Sequence, residues 1–336
     1  MKDKRPVVAI TMGDAAGIGP EITLKALQKP KIYDICRPLV LGDLDVMEQI
    51  KDICRKKTKF GTVDIPAQTA GKFGTADIID YDDISLKDFI FGKISPICGK
   101  AAVRYTMEAG KMALDGSIGA MVSAPLNKTS MREAGYSYEG QTQILGELAG
   151  SERYGMILVL DDLRIMMYST HMSLSDAIKK ISKKGLIEKI RLAREGLGFF
   201  NIENPVIAVS AINPHCGEGG LFGRQEIDIM EPAIEKARSE GIDVRGPIPS
   251  DIIFSHARKG EYDLVIAMYH DQANMAVKLL GFGSVVTLLA GLPIIRTSTG
   301  HGTAFDIAGK NMADETNIVK AIELAAALAV KKGSLA

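Results

Sequence analysis

Only five histidines occur in the 336 residues, and three of them share one kind of position. His171 ends Tyr-Ser-Thr-His after the apolar run Arg164–Ser169, and His215 stands in Ile-Asn-Pro-His-Cys-Gly-Glu-Gly-Gly after Pro205–Ala211. His270 follows Asp263–Met268 in Met-Tyr-His-Asp-Gln. Each comes just past a run that reads as a buried strand, and α/β folds place their sites at the C-terminal ends of such strands. Three neutral imidazoles can take three positions around a divalent metal and leave one open for substrate or water, as in a catalytic zinc site. Singly, each reads as well as a polar residue capping a strand; the three together favour the metal. His256 lies in a charged helical stretch and reads as surface.

Two cations and one turn add to this set. Arg296 closes the run Gly291-Leu-Pro-Ile-Ile-Arg, where its guanidinium could fork a carboxylate or phosphate bidentately. Lys278, eight residues past His270, could add a point charge. A lone Arg or Lys is more often a solvated surface cation, so neither is diagnostic alone. The first apolar run ends in Gly13-Asp-Ala-Ala-Gly-Ile-Gly-Pro-Glu21, a tight strand-to-helix turn with Pro20 suited to the first helical position. Backbone N–H groups at such a turn suit an anion. The segment is neither a P-loop nor a spaced GxGxxG, and a close-packed first βα turn is the favoured reading.

The elements expected to position these residues alternate along the chain. Strands are predicted at Pro6–Met12, Pro38–Gly42, Ile118–Ser123, Met156–Leu160, Arg164–Ser169, Pro205–Ala211, Asp263–Tyr269, Val285–Leu289 and Pro293–Thr297. Helical patterns occupy Glu21–Gln28, Lys100–Leu114, Lys183–Leu197, Gln225–Glu240 and Asp314–Lys331. Several strands are apolar without polar alternation, as expected when both faces of a parallel sheet are covered. The order is that of an α/β architecture.

Composition excludes several classes. The 41 Lys+Arg balance 41 Asp+Glu, so no basic footprint for nucleic acid or a membrane surface exists. A hydrophobic fraction of 46% with 24% charged residues excludes intrinsic disorder. Cys36, Cys54, Cys98 and Cys216 form no CxxC pair, which favours a reducing compartment. The first residues contain no signal-peptide apolar region, and Val285–Ile295 and Ala321–Val330 fall short of the ~20 residues of a membrane span. A cytoplasmic protein is expected.

Longer motifs in fixed order carry a resemblance. Thr-Met-Gly-Asp-Ala-Ala-Gly-Ile-Gly-Pro-Glu, Ser-Ala-Pro-Leu-Asn-Lys (123–128), Asn-Pro-His-Cys-Gly-Glu (213–218), Met-Tyr-His-Asp-Gln (268–272) and the segment from Gly291 to Ala304 resemble the 4-hydroxythreonine-4-phosphate dehydrogenase family. The match runs from about residue 7 to 330. His-Gly-Thr-Ala-Phe-Asp-Ile-Ala-Gly (301–309) is also similar to the adenosine-binding loop of isocitrate and isopropylmalate dehydrogenases.

The resemblance implies a two-lobed α/β/α fold like that of isocitrate and isopropylmalate dehydrogenases, with a cleft between the lobes. One lobe would comprise residues 1–125 plus 275–336 and bind cofactor; the other, 126–274, would carry the metal, substrate and dimer contacts. It implies a homodimer with its site shared across the interface, NAD as cofactor, and one divalent metal (Zn2+, with Mg2+ or Co2+ as alternatives) on His171, His215 and His270. Substrate contacts map onto Gln141, Thr142, Lys278, Thr287 and Arg296, and cofactor contacts onto His301, Gly302, Thr303 and Ala304. Asp251 matches an acidic residue near the metal and is the candidate base. Gln141 and Thr287 depart from the family's usual His and Asn. The implied reaction is oxidation with decarboxylation of a phosphorylated four-carbon 3-hydroxy acid, either D-threonate or D-erythronate 4-phosphate, or 4-phosphohydroxy-L-threonine. Alternatives are a non-redox metal aldolase or hydrolase, and a dehydrogenase of an unphosphorylated cis-dihydrodiol.

Overall fold

A computed structural model describes residues 3–281 and 283–333. Twelve strands form among the described residues: β1 (Val7–Thr11), β2 (Arg37–Gly42), β3 (Lys59–Thr62), β4 (Thr75–Asp80), β5 (Ala120–Ser123), β6 (Gly155–Leu160), β7 (Leu163–Met167), β8 (Ile207–Ser210), β9 (Val244–Ile248), β10 (Leu264–Ala267), β11 (Val286–Ala290) and β12 (Arg296–Thr299). The helices are α1 (Gly19–Ala26), α2 (Pro30–Ile35), α3 (Leu44–Ile53), α4 (Pro96–Leu114), α5 (Lys128–Glu133), α6 (Gln141–Leu148), α7 (Leu174–Lys180), α8 (Lys183–Gly198), α9 (Glu231–Ser239), α10 (Ser250–Arg258), α11 (His270–Gly281) and α12 (Thr316–Gly333). No helix among the described residues is long and apolar enough to cross a membrane.

The chain divides into two compact units, Met1–Glu152 with Leu292–Ala336, and Arg153–Gly291. The divisions fall at 152/153 and 291/292, where the sequence reading draws its lobes at 125/126 and 274/275. The first unit extends through α5 and α6 because both pack on α4. The second unit keeps α11 and β11, which pack on β7 and β6.

In the first unit the strand order is β3-β4-β2-β1-β5-β12, with every pairing parallel. Residues Val8 to Ile10 and Leu39 to Leu41 are completely buried, so both faces of β1 and β2 are covered. Period-two side chains point alternately to the two faces, which is why these runs show no polar alternation. Helix α4 covers β1, β2 and β5, while α12 packs on β12, β5 and β1. Pro96 opens α4 at its first turn, four residues before the predicted start, in a position where its missing N–H costs nothing.

The second unit has the order β11-β6-β7-β10-β8-β9 and is mixed. Strand β6 runs antiparallel to both β11 and β7, whereas β7, β10, β8 and β9 are parallel. Only Asp161 and Asp162 separate β6 from β7, a link too short for a parallel crossover and sufficient for a hairpin. Asp161 takes the left-handed conformation (φ 50°) that such a turn needs. One apolar layer joins Ile165, Met167, Ala208, Val265 and Ala267 of the sheet to Ile253, Ala257, Ala273 and Val277 of α10 and α11. Burying each larger side chain there stabilises the unit by about 1.5–3 kcal/mol. That layer seats α11, and with it His270, at the end of β10.

Candidate active site

In the second unit, β7, β10 and β8 are consecutive parallel neighbours. The three histidines picked out in the sequence therefore follow the same ends of three adjacent strands. His171 and His270 meet, with ring centroids 5.4 Å apart. His270 Nδ1 lies 2.9 Å from Asp271 Oδ1, which fixes that nitrogen as the donor and leaves Nε2 available as a ligand.

Buried polar groups tie these strand ends together. Tyr168 N–H donates to Ala267 O (2.7 Å), and Ser169 Oγ donates to Met268 O (2.9 Å). The Gln272 amide bridges two strands, its Oε1 accepting from Met268 N–H (2.6 Å) and its Nε2 donating to Ala211 O (2.9 Å). Ser169 and Gln272 are buried and escaped the sequence reading, because an amide or hydroxyl one turn from a histidine has no distinctive spacing.

His215 is held differently. Residues His215 to Gly219 all have positive φ, between 45° and 80°, so five successive residues turn left-handed. His215, Cys216 and Glu218 each carry a Cβ there, at a cost of about 1–2 kcal/mol per residue. Glu226 holds the segment from behind: its buried carboxylate accepts from Ile212 N–H (2.9 Å), Asn213 N–H (2.8 Å) and Asn213 Nδ2 (2.8 Å). Glu226 begins a π-helical turn, Glu226–Met230, that leads into α9. The ring of His215 is exposed. Among the described residues no group of three His, Cys, Asp or Glu stands close enough to enclose a metal within the single chain. Asp251 lies exposed in the first turn of α10, and Lys278 is exposed on α11 without an ion pair among the described residues. Thr287 is buried in β11, in register with Leu158.

The first unit holds the other candidates. Arg296, at the start of β12, is only 5% exposed and has no carboxylate partner among the described residues. Its Nε donates to Ser123 Oγ (3.0 Å) and its Nη2 to Gln141 Oε1 (2.9 Å). Burial lowers its pKa to about 10, so the guanidinium remains charged at neutral pH. A buried cation satisfied only by neutral acceptors is an electrostatic vacancy for an anion. Thr142, next to Gln141 in the first turn of α6, is half-buried.

The first βα turn is closed rather than open. Residues from Met12 to Leu24 are buried, including the N-terminal turn of α1. Asp14 N–H donates to Pro125 O (2.9 Å) and Ile18 N–H to Thr303 O (3.0 Å). A Cβ on Gly13 would stand 2.4 Å from Pro125 O, and one on Gly17 2.9 Å from Thr303 Cβ. The glycines therefore admit neighbouring backbone, and the close-packed reading holds. The same packing supports the 301–304 segment: Thr303 is buried against the turn, whereas His301 and Gly302 are exposed.

The first unit is thus a parallel α/β unit with a buried guanidinium, held by two neutral acceptors, at the start of β12. Residues 34–325 match the family described as pyridoxal phosphate biosynthetic protein PdxA, and the chain belongs to it. The D-threonate 4-phosphate dehydrogenase of Cupriavidus necator is 42% identical over 334 residues, 99% of this chain and 100% of that protein. The 4-hydroxythreonine-4-phosphate dehydrogenase of Desulforapulum autotrophicum is 40% identical over 99% of this chain and 98% of its own length. The crystal structure of a 4-hydroxythreonine-4-phosphate dehydrogenase from Burkholderia phymatum superposes with a TM-score of 0.87 at 41% identity, covering 96% of this chain and 98% of the other. The protein is thus an oxidoreductase of the 4-hydroxythreonine-4-phosphate dehydrogenase family.

Proposed function

We propose that the protein is an NAD-dependent, divalent-metal-dependent dehydrogenase of a phosphorylated four-carbon 3-hydroxy acid, D-threonate or D-erythronate 4-phosphate, which it also decarboxylates. The observation that carries this reading is Arg296, a buried guanidinium without a carboxylate partner among the described residues. Relatives named for D-threonate 4-phosphate and for 4-hydroxythreonine 4-phosphate, at similar identity, support a phosphorylated acid.

The chain's residues divide the work as follows. Arg296 and Lys278 hold the anionic ends of the substrate, with Thr142 and Thr287 offering hydroxyls to its polar groups. His171, His215 and His270 hold the metal; the ring contact of His171 with His270 and the free Nε2 of His270 fit a nitrogen-rich divalent site. A dimer would let ligands come from both copies. Asp251 takes the proton from the substrate's secondary hydroxyl, directly or through a water. Residues His301, Gly302, Thr303 and Ala304 carry the adenosine end of NAD. Bound at these places, the metal supplies a Lewis acid for the hydroxyl and NAD a hydride acceptor. Oxidation at C3 gives a β-keto acid, which loses CO2 to leave dihydroxyacetone phosphate. The reaction takes place in the reducing cytoplasm.

The test is absorbance at 340 nm with NAD, added Zn2+, Co2+ or Mg2+, and three substrates: the two sugar-acid phosphates and 4-phosphohydroxy-L-threonine. NADH with either sugar-acid phosphate, abolished by chelation, is the expected result. A tenfold or larger preference for the amino-acid phosphate would assign the enzyme to that substrate instead, and no NADH with any of the three would reject the dehydrogenase reading.

A further inference from the structure

We infer that Gln141 is a positioning residue, whose neutral side-chain amide orients the Arg296 guanidinium and leaves its positive charge free for an incoming anion. The inference rests on the reading of Arg296 as the anion-receiving group. It changes the role of Gln141 from a substrate contact to the support of another residue.

The amide is fixed at both ends. Nε2 donates to Ala124 O (2.9 Å), just past β5, and Oε1 accepts from Arg296 Nη2 (2.9 Å). Turning the amide over would set NH2 against N–H and C=O against C=O, so the network admits one orientation. Gln141 is 9% exposed and begins α6, while Ala124 and Ser123 are each 1% exposed, so the acceptor cannot drift. Ser123 Oγ holds Nε, which leaves Nη1 as the arm of the fork without a hydrogen-bond partner among the described residues. Two neutral acceptors thus fix one edge of the guanidinium without cancelling its charge.

The electrostatic consequence follows from what the amide is not. A glutamate here would form a buried ion pair with Arg296 and cancel the charge. A leucine would leave Nη2 and Ala124 O both unpaired, each at a cost of about 1–3 kcal/mol. A neutral imidazole could accept from Nη2 and donate to Ala124 O, but a protonated one has two donors and would repel the guanidinium. No charged group on β5, α6 or β12 interacts with Arg296; burial alone accounts for its lowered proton affinity. Lys128 approaches Gly140 and Asp14 bonds the 124–127 segment, and neither pairs with Arg296.

The experiment measures inorganic phosphate binding by isothermal titration calorimetry and KM for D-threonate 4-phosphate, in wild type, Arg296→Gln, Gln141→Leu and Gln141→His. Gln141→Leu should weaken phosphate binding about tenfold or more, as expected for losing a hydrogen bond to a charged group, and raise KM by more than it lowers kcat. Gln141→His should match wild type near pH 8 and lose about tenfold relative to wild type near pH 5, because burial beside the Arg296 guanidinium lowers an imidazole pKa below its ordinary ~6.5. The ratio of variant to wild type cancels titration of the phosphate and of the rest of the protein. If Gln141→Leu is poorly folded, the histidine variant at the two pH values decides alone. Phosphate affinity and KM within threefold of wild type for both variants at both pH values would overturn the inference. So would an Arg296→Gln variant that binds phosphate as well as wild type. If wild type binds phosphate through Arg296 yet produces no NADH, the dehydrogenase reading fails while the calorimetry still tests Gln141.

Discussion

Asp14→Asn should stabilise the protein above neutral pH and not at pH 4. Asp14 is fully buried in the first βα turn, where burial raises its carboxyl pKa from 3.8 to about 6 despite a hydrogen bond from Ala16 N–H (2.9 Å). A carboxyl that binds its proton more tightly when folded adds stability that is fully present below the unfolded pKa. That stability is lost as pH rises through the folded value. A rise of about two units corresponds to roughly 3 kcal/mol between the two limits. Asparagine is neutral throughout, has nearly the same shape, and retains an oxygen for Ala16 N–H. Relative to wild type, the variant should therefore gain little at pH 4, gain progressively between pH 4 and 6, and level off near 3 kcal/mol above pH 7. Urea unfolding at several pH values, followed by hydrogen exchange of the β1 amides, reports on the unit that contains Asp14. A stability difference independent of pH, or an asparagine variant less stable at pH 8, would refute the argument.

Three further outcomes follow from the same structure. Glu226→Gln turns one carboxylate oxygen into an NH2 facing Asn213 Nδ2, so it should cost about 1–3 kcal/mol and weaken zinc affinity about tenfold or more, measured by urea unfolding and chelator competition. Gly13→Ala combines a left-handed backbone (φ 74°) with a Cβ 2.4 Å from Pro125 O, and should destabilise by at least ~1–3 kcal/mol in thermal unfolding. Burial pushes the Cys36 and Cys98 thiols up to about 12, so iodoacetamide at pH 8 should label half-buried Cys216 first and leave those two intact until unfolding, as peptide mass spectrometry would show.

The parts of the fold that were legible in the sequence are those where one physical demand dominates. Strands covered on both faces must be apolar throughout, so β1, β2, β5, β7, β8 and β10 stood out. Edge strands carry no such demand. Strand β3 has no buried residue, and β9 includes Gly246 and Pro247, which are tolerated at an edge where ladder hydrogen bonds are not needed on both sides. Direction was the other gap: the apolar run of β6 looks like its parallel neighbours, and only the two aspartates before β7 betray the hairpin.

The candidate site divides along the same line. Histidines are rare enough here that three of them past strand ends attract notice, and Arg296 drew attention as a charge at the end of an apolar run. The groups that orient them use common residue types at long sequence separations: Gln141 lies 155 residues from Arg296, and Gln272 lies 61 from Ala211. No local pattern encodes such a bond, since either partner alone reads as an ordinary buried polar residue. Yet each amide does what an apolar side chain of equal size could not, accepting from one element while donating to the end of a strand. In the first unit the acceptor is turned on a guanidinium; in the second it is turned on the N–H of Met268, two residues before His270. A buried polar group left unpaired costs more than its hydrogen bond contributes, so both bridges must form completely or disturb the strand ends they join. Arg296 and the strand end before His270 therefore inherit their geometry from amides that only the folded chain brings into place.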